Sequence, residues 1–143
     1  MSEKQDAITF SDGGSRGNPG NAAIGVVIYE KSEDGLKKHV FDVKEYIGIQ
    51  TNNFAEYSAL IAGLKKTKAL GYSNVDCFLD SELVVKQLNG LYRVKEETLK
   101  PMFAEVKALQ KMFGKVTFNH VPREKNAAAD KLVNEALDEH AGI

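Results

Sequence analysis

Four acidic residues stand where regular structure is expected to meet a loop or to begin a helix: Asp12, Glu56, Asp80 and Asp130. Carboxylate oxygens with no accompanying set of cysteines or histidines favour Mg²⁺ or Mn²⁺ over zinc. Two such ions about 3.5–4 Å apart can activate water on one side of a phosphodiester and stabilise the leaving oxygen on the other. The pattern indicates metal-dependent phosphoryl transfer, on condition that the fold brings the four side chains together.

Asp12 and Asp80 also fit a structural role, because aspartate commonly caps turns and helices. The chain has 20 acidic residues, and most of them suit the solvated faces of helices. Periodicity cannot show whether the strands before Asp12 and Asp80 are neighbours in a sheet. At this point the capping and the catalytic interpretations both stand.

The first third of the chain has the pattern of β-structure. Residues 7–12 alternate and predict a strand ending at Asp12, before the turn-prone glycine segment 13–20. Two further β-rich runs, residues 22–30 and 37–47, complete a three-stranded antiparallel meander. Asp12 is therefore expected at the end of a strand, in front of a loop.

The rest of the chain alternates helices with short strands. Its periodicity predicts, in order, a helix from Asn53 to Gly71 with Glu56 in its first turns, a strand over 75–79 before Asp80, a helix opened by Ser81, a helix over 98–113, a strand over 116–120, and a final helix capped by Asn126 and carrying Asp130. The order β-β-β-α-β-α-α-β-α requires crossover connections. We therefore expect an α/β fold with helices packed on a mixed sheet.

Length and composition favour one domain. A chain of 143 residues, 43% of them hydrophobic, can bury a core without disulfides. We expect a polar N-terminal tail over residues 1–6, the domain over 7–139 and a C-terminal tail over 140–143. The single cysteine, Cys77, lies in an apolar stretch and should pack as a small hydrophobe. This use of cysteine fits a reducing, cytoplasmic location.

Charge and hydropathy limit the classes of partner that we expect for this chain. No apolar run approaches the roughly 18 residues that cross a bilayer, and the polar start lacks the apolar stretch of a signal peptide. We predict a cytoplasmic monomer without membrane association. A net charge of −1 and a pI near 6.3 give no sign of the basic field that often marks nucleic-acid-binding proteins. Composition alone argues mildly against such a partner.

Four segments in fixed order resemble the signatures of the type-one ribonuclease H family: Asp12–Gly20 (DGGSRGNPG), Thr51–Glu56 (TNNFAE), Asp80–Ser81 and Asn126–Asp130 (NAAAD). The similarity runs from Ile8 to Leu137. It implies a single-domain ribonuclease H-like fold, with a mixed five-stranded sheet whose first three strands are antiparallel. It also implies an endonuclease that cuts the RNA strand of RNA·DNA hybrids with two divalent ions, Mg²⁺ or Mn²⁺, leaving a 3′-hydroxyl and a 5′-phosphate.

The resemblance assigns roles to the four carboxylates. Asp12 would bridge both metal ions. Glu56 and Asp80 would hold the ion near the leaving group, and Asp130 would hold the ion that activates the attacking water.

The resemblance also assigns substrate contacts. Those expected to meet RNA 2′-hydroxyls, besides Glu56, are Ser15, the backbone of Gly17, Asn18 and Asn52. The 2′-hydroxyl distinguishes RNA from DNA and lies exposed in the minor groove of an A-like duplex. Residues resembling those that hold a DNA phosphate are Thr51 and Asn53. Such backbone contacts carry little sequence preference. The structural alternatives are that the glycines and Asn18 serve only a turn, and that Asn52 and Asn53 cap a helix.

The sequence departs from the family pattern in three places. Residues 121–129 lack the histidine that many members carry in a flexible loop, and Arg123 is the candidate for steadying a phosphate or the product; a surface role is the alternative. Glu82 stands where a glutamine that touches substrate is often found, which puts that contact in doubt. The connection over residues 89–98 is short and nearly balanced in charge, so we predict that the basic protrusion of some members is missing.

Other functions compete with this interpretation. The first is a ribonuclease H-like domain that binds nucleic acid without cutting it. The four carboxylates argue against it, because such a domain gains nothing from negative charge where phosphates bind. The second is a relative that also cleaves double-stranded RNA. It would differ from the enzyme described above only in its substrates, so only a comparison of substrates distinguishes the two. A nucleotide-binding α/β protein would need the P-loop lysine or the dinucleotide fingerprint, and the sequence has neither.

Overall fold

The computed structural model describes residues 6–143, and it confirms the predicted order of elements. They are β1 (Asp6–Gly17), β2 (Gly20–Lys31), β3 (Lys37–Gln50), α1 (Asn52–Ala69), β4 (Asn74–Leu79), α2 (Glu82–Leu88), α3 (Lys100–Gln110), β5 (Lys115–His120), a 3₁₀ turn (Arg123–Asn126) and α4 (Ala127–Ala141). The strands form one sheet in the order β3-β2-β1-β4-β5. β1, β2 and β3 are antiparallel, while β4 is parallel to β1 and β5 to β4. The expected mixed five-stranded sheet is confirmed.

Strand β1 is longer than its sequence pattern predicted. It continues past Asp12 to Gly17 and pairs with β2 from Ala7 opposite Glu30 to Gly17 opposite Gly20. The prediction of a glycine loop directly after Asp12 was therefore wrong, and only residues 18–19 turn between the two strands. Glycine marks turns, but within a strand it also marks a site where another backbone approaches closely. Asp12 therefore lies within a central strand.

Some element ends also differ from the predictions. α3 spans residues 100–110 instead of 98–113; in the described part of the chain its start has no side-chain cap, and short turns follow Gln110. α4 continues to Ala141 and stops at Gly142, whose φ of +78° ends the helix. The boundary expected at residue 140 thus falls inside α4. Of the predicted N-terminal tail, residues 1–5 lie outside the described residues, and Asp6 begins β1.

Within residues 6–143, three apolar clusters hold the helices on the sheet. The largest joins β1, β4 and β5 to α1, α2 and α3, and its fully buried residues include Tyr57, Leu64, Val75, Cys77 and Leu79. The burial expected for Cys77 is confirmed. A second cluster packs α4 against β2 through Ala23, Val133, Ala136 and Leu137, and a third packs α1 against β2. α4 is thereby fixed beside the strand that carries Asp12.

None of the helices within residues 6–143 is long and apolar enough to span a membrane.

Candidate active site

The pairing of β1 with β4 decides whether Asp12 and Asp80 are neighbours. The two strands are parallel, with Ser11 opposite Leu79. The residues that follow this pair, Asp12 and Asp80, therefore lie side by side. Glu56 joins them from the first turns of α1. Carboxylate oxygens of Asp12, Glu56 and Asp80 lie within 4.8 Å of one another. The fold therefore brings three of the four candidate ligands into one cluster.

Glu56 is tied into this cluster through one oxygen only. The backbone N–H of Gly13 donates to Glu56 Oε1 at 3.1 Å, whereas Glu56 Oε2 is buried and has no hydrogen-bond partner among residues 6–143. Asp12 and Glu56 are each only 7% exposed. A buried carboxylate oxygen without a partner is costly. This oxygen and the all-oxygen donor set both fit a hard divalent cation.

Asp130 faces the same cleft from α4. It lies in the first turn of that helix and lines, with the other three carboxylates, a cavity of about 430 Å³. Its oxygens are not part of the 4.8 Å group. The start of α4 is held on β1 because Asn126 Nδ2 donates to the Ser11 carbonyl at 2.8 Å. Asn126 precedes the helix as predicted, but among the residues that the structure describes its side chain makes no capping hydrogen bond.

A network of polar contacts, which we call the polar wall, borders the cleft through Ser15 and Asn52. Asn52 Oδ1 accepts from the N–H of Ser15 at 2.9 Å and from Ser15 Oγ at 3.2 Å. Asn52 N–H donates to Asn18 Oδ1 at 3.0 Å, and Ser15 Oγ also donates to the Gly17 carbonyl. Four predicted substrate residues therefore meet between the β1–β2 hairpin and the start of α1.

The remaining candidates occupy different places. The cap of α1 is Thr51, whose Oγ1 accepts from the Phe54 N–H at 3.2 Å, so the Asn52 side chain is not the cap. Asn53 lines the cleft, and so does Arg123, 3.9 Å from Asp130 Oδ1. Glu82 is not among the residues lining the cleft and lies 3.6 Å from Lys86.

Arg16 and Asn134 also line the cleft, and the sequence reasoning missed both. Asn134 follows Asp130 by four residues, a spacing that puts two side chains on the same face of a helix. That spacing was a usable signal. Arg16 lies in the segment that was interpreted as a loop. Because this segment belongs to β1, the Arg16 side chain reaches residues of α4.

Burial changes the acidity of the clustered carboxylates. It raises the pKa of Asp12 from 3.8 to about 7, and the charges of Asp80 and Asp130 act in the same direction. Burial and the neighbouring Asp12 raise the pKa of Glu56 well above its usual value. Without a cation the cluster therefore retains protons that ordinary carboxyl groups release.

This acidity predicts a pH-dependent stability. Because the folded state binds these protons more tightly than the unfolded state, the free energy of unfolding of the metal-free protein should fall between about pH 4 and about pH 7, by a few kcal/mol. A bound cation replaces the protons, so Mg²⁺ should raise the melting temperature more at about pH 8 than at about pH 5. Thermal unfolding with Mg²⁺ or chelator measures both effects. A metal-induced shift independent of pH would contradict the prediction.

Comparison with known proteins places this geometry in a family. A sequence model of the reverse transcriptase-like family matches residues 10–136. A ribonuclease H of Sulfurovum sp. (strain NBC37-1) is 31% identical over 143 residues, which cover 93% of this chain and 92% of that protein. The chain belongs to the ribonuclease H family. The predicted family is confirmed.

Two further ribonuclease H relatives extend the comparison. A bifunctional protein of Mycobacterium tuberculosis (strain ATCC 25618 / H37Rv) is 40% identical over 131 residues, 92% of this chain and 35% of that protein. This chain thus spans about a third of that relative's length. The crystal structure of LC11-RNase H1 in complex with an RNA/DNA hybrid matches with a TM-score of 0.86 and 45% identity, over 94% of this chain and 99% of that one. The fold of this ribonuclease H family member agrees with that structure over nearly its whole length.

Proposed function

We propose that this chain is an endonuclease that hydrolyses the RNA strand of RNA·DNA hybrids with two divalent cations, Mg²⁺ or Mn²⁺, leaving a 3′-hydroxyl and a 5′-phosphate. The observation that carries the proposal is the approach of Asp12, Glu56 and Asp80 to within 4.8 Å of one another at a cleft. Family membership supports it, as does the 45% identity to LC11-RNase H1, whose structure contains an RNA/DNA hybrid.

The four carboxylates are assigned as the cation ligands. When bound, the cations supply the charge that activates water and stabilises the leaving oxygen. The Asp12 carboxyl interacts with Glu56, Asp80 and Asp130, which supports it as the shared ligand of both ions. Glu56 and Asp80 would hold one ion, because their oxygens lie within 4.8 Å of each other, and Asp130, which is outside that group, would hold the other.

Selection of RNA is assigned to the polar wall. Ser15, Asn18 and Asn52 hold one another through directed hydrogen bonds, so their positions are set before a substrate binds. A ribose 2′-hydroxyl is both donor and acceptor and can join such a network. Thr51 and Asn53 stand at the start of α1, where the backbone N–H groups and the helix dipole favour a phosphate of the DNA strand. Arg123 beside Asp130 is assigned to the product phosphate.

Cleavage of end-labelled duplexes tests the proposal. RNA·DNA, RNA·RNA and DNA·DNA duplexes and single-stranded RNA are compared in Mg²⁺, Mn²⁺ or chelator. Metal-dependent cutting confined to the RNA of the hybrid is the expected result. Binding of the hybrid without any cutting would replace the proposal by a non-catalytic domain, and cutting of RNA·RNA would widen the substrate class.

The other sequence predictions stay predictions: the domain limits 7–139, the cytoplasmic location and the monomeric state.

A further inference from the structure

The orientation of Asp130 depends on a neighbour on α4. Asn134 Nδ2 donates to the Asp130 backbone carbonyl at 3.0 Å and approaches its carboxylate Oδ2 at 3.4 Å. Asp130 Oδ1 lies 3.9 Å from Arg123, whose side chain is 81% exposed. A salt bridge so exposed restrains a side chain weakly. Besides the carboxyl of Asp12, which also interacts with Asp130, the Asn134 amide therefore restrains the Asp130 carboxylate more than Arg123 does.

The other end of this amide is held by β1. Arg16 Nη2 donates to Asn134 Oδ1 at 3.3 Å and forms an ion pair with Asp138 Oδ1 at 2.8 Å. The amide oxygen accepts from the guanidinium while the amide nitrogen faces the carboxylate. Rotation of the amide by half a turn would present the wrong group to both partners. Arg16 thus fixes which atom of Asn134 faces Asp130.

We propose that Arg16 and Asn134 act as positioning residues that hold Asp130 in the geometry of a metal ligand; this inference rests on the function proposed above. Arg16 lies between Ser15 and Gly17, so the contact also joins the polar wall to the fourth carboxylate. Residues that orient a metal ligand through hydrogen bonds typically change metal affinity or activity by about 10–100-fold when they are replaced. We call Arg16 and Asn134 the positioning pair.

Asn134→Ala tests the pair directly. Asn134 is exposed, and alanine has the highest helix propensity, so this variant should stay folded with an unchanged or higher free energy of unfolding. We expect kcat to fall and the Mg²⁺ concentration for half-maximal cleavage to rise about tenfold, with an unchanged KM for the hybrid. Mn²⁺ affinity of the nucleic-acid-free protein, measured by electron paramagnetic resonance of the free ion, should also fall about tenfold. This second readout does not depend on cleavage.

Arg16→Ala tests whether Arg16 acts through Asn134. The single variant should lose Mn²⁺ affinity, and the double variant Arg16→Ala/Asn134→Ala should be no worse than Asn134→Ala alone. Lys131→Ala is the matched control, because Lys131 is an exposed residue of α4 that does not line the cleft. Its metal dependence should equal that of the wild type. Losses that add in the double variant would overturn the coupling.

Asp130→Asn separates failure of the pair from failure of the proposed function. It should weaken Mn²⁺ binding at least as much as Asn134→Ala does. If Asp130→Asn loses affinity while Asn134→Ala keeps the affinity and metal requirement of the wild type, the positioning role is wrong and the metal site stands. If Asp130→Asn binds Mn²⁺ as the wild type does, Asp130 is not a metal ligand, and the inference falls with that assignment.

Discussion

Replacement of Asp12 by Asn should abolish cleavage of the hybrid while the protein remains folded. Asp12 interacts with all three other carboxylates of the cleft, so its loss affects both proposed cation positions. Replacing a residue that only orients a metal ligand typically lowers metal affinity or activity by about 10–100-fold. Loss of a shared ligand should lower activity by more than about 100-fold. Asparagine nearly preserves the volume of the side chain, which limits any change in packing.

Two measurements on Asp12→Asn separate catalysis from folding. The cleavage rate should fall, whereas the melting temperature in chelator near neutral pH should equal or exceed that of the wild type, because a neutral amide replaces a carboxyl group whose ionised form is disfavoured by burial. Asp42→Asn is the matched control, since Asp42 is an exposed carboxylate paired with His39 outside the cleft. It should retain full activity. Cleavage by Asp12→Asn at a near-wild-type rate would refute the metal assignment.

Gly13→Ala should be strongly destabilising, although it adds one methyl group. A Cβ at Gly13 would lie 2.1 Å from the carbonyl carbon and oxygen of Ala55 and 2.5 Å from the backbone nitrogen of Glu56. These are atoms of the α1 backbone and cannot rotate away, so β1 and α1 must separate. Overpacking of this kind costs about 1–3 kcal/mol or more. The separation would also break the Gly13–Glu56 hydrogen bond and displace a proposed ligand.

Gly14→Ala is the matched control for this prediction. Its Cβ would meet Val133 Cγ1 at 3.5 Å, an ordinary van der Waals contact. We expect Gly13→Ala to lower the melting temperature by several degrees or to prevent folding, and Gly14→Ala to leave it nearly unchanged. Thermal unfolding of both variants measures the difference. Equal stability of the two would show that α1 does not rest on Gly13 as described.

The site residues were accessible to sequence reasoning to different degrees. The carboxylates could be found because their types and their positions relative to strands and helices are local features. Ser15, Asn18 and Asn52 could be named only through the family resemblance, since nothing local indicates that Asn52 accepts two hydrogen bonds from Ser15. Arg16 could not be found, because its partners are on α4, at the other end of the chain.

The sequence by itself determined the order of strands and helices, the family and the four candidate ligands, because hydrophobic periodicity and side-chain chemistry act over a few residues. The tertiary structure decided three matters. It placed β4 beside β1, which makes Asp12 and Asp80 neighbours. It carried β1 through the glycine segment, because ladder hydrogen bonds to β2 outweigh the local preference of glycine for turns. It also set α4 against β1, so that Arg16 and Asn134 meet next to Asp130. Each of these depends on contacts between residues far apart in the chain, which local patterns do not encode.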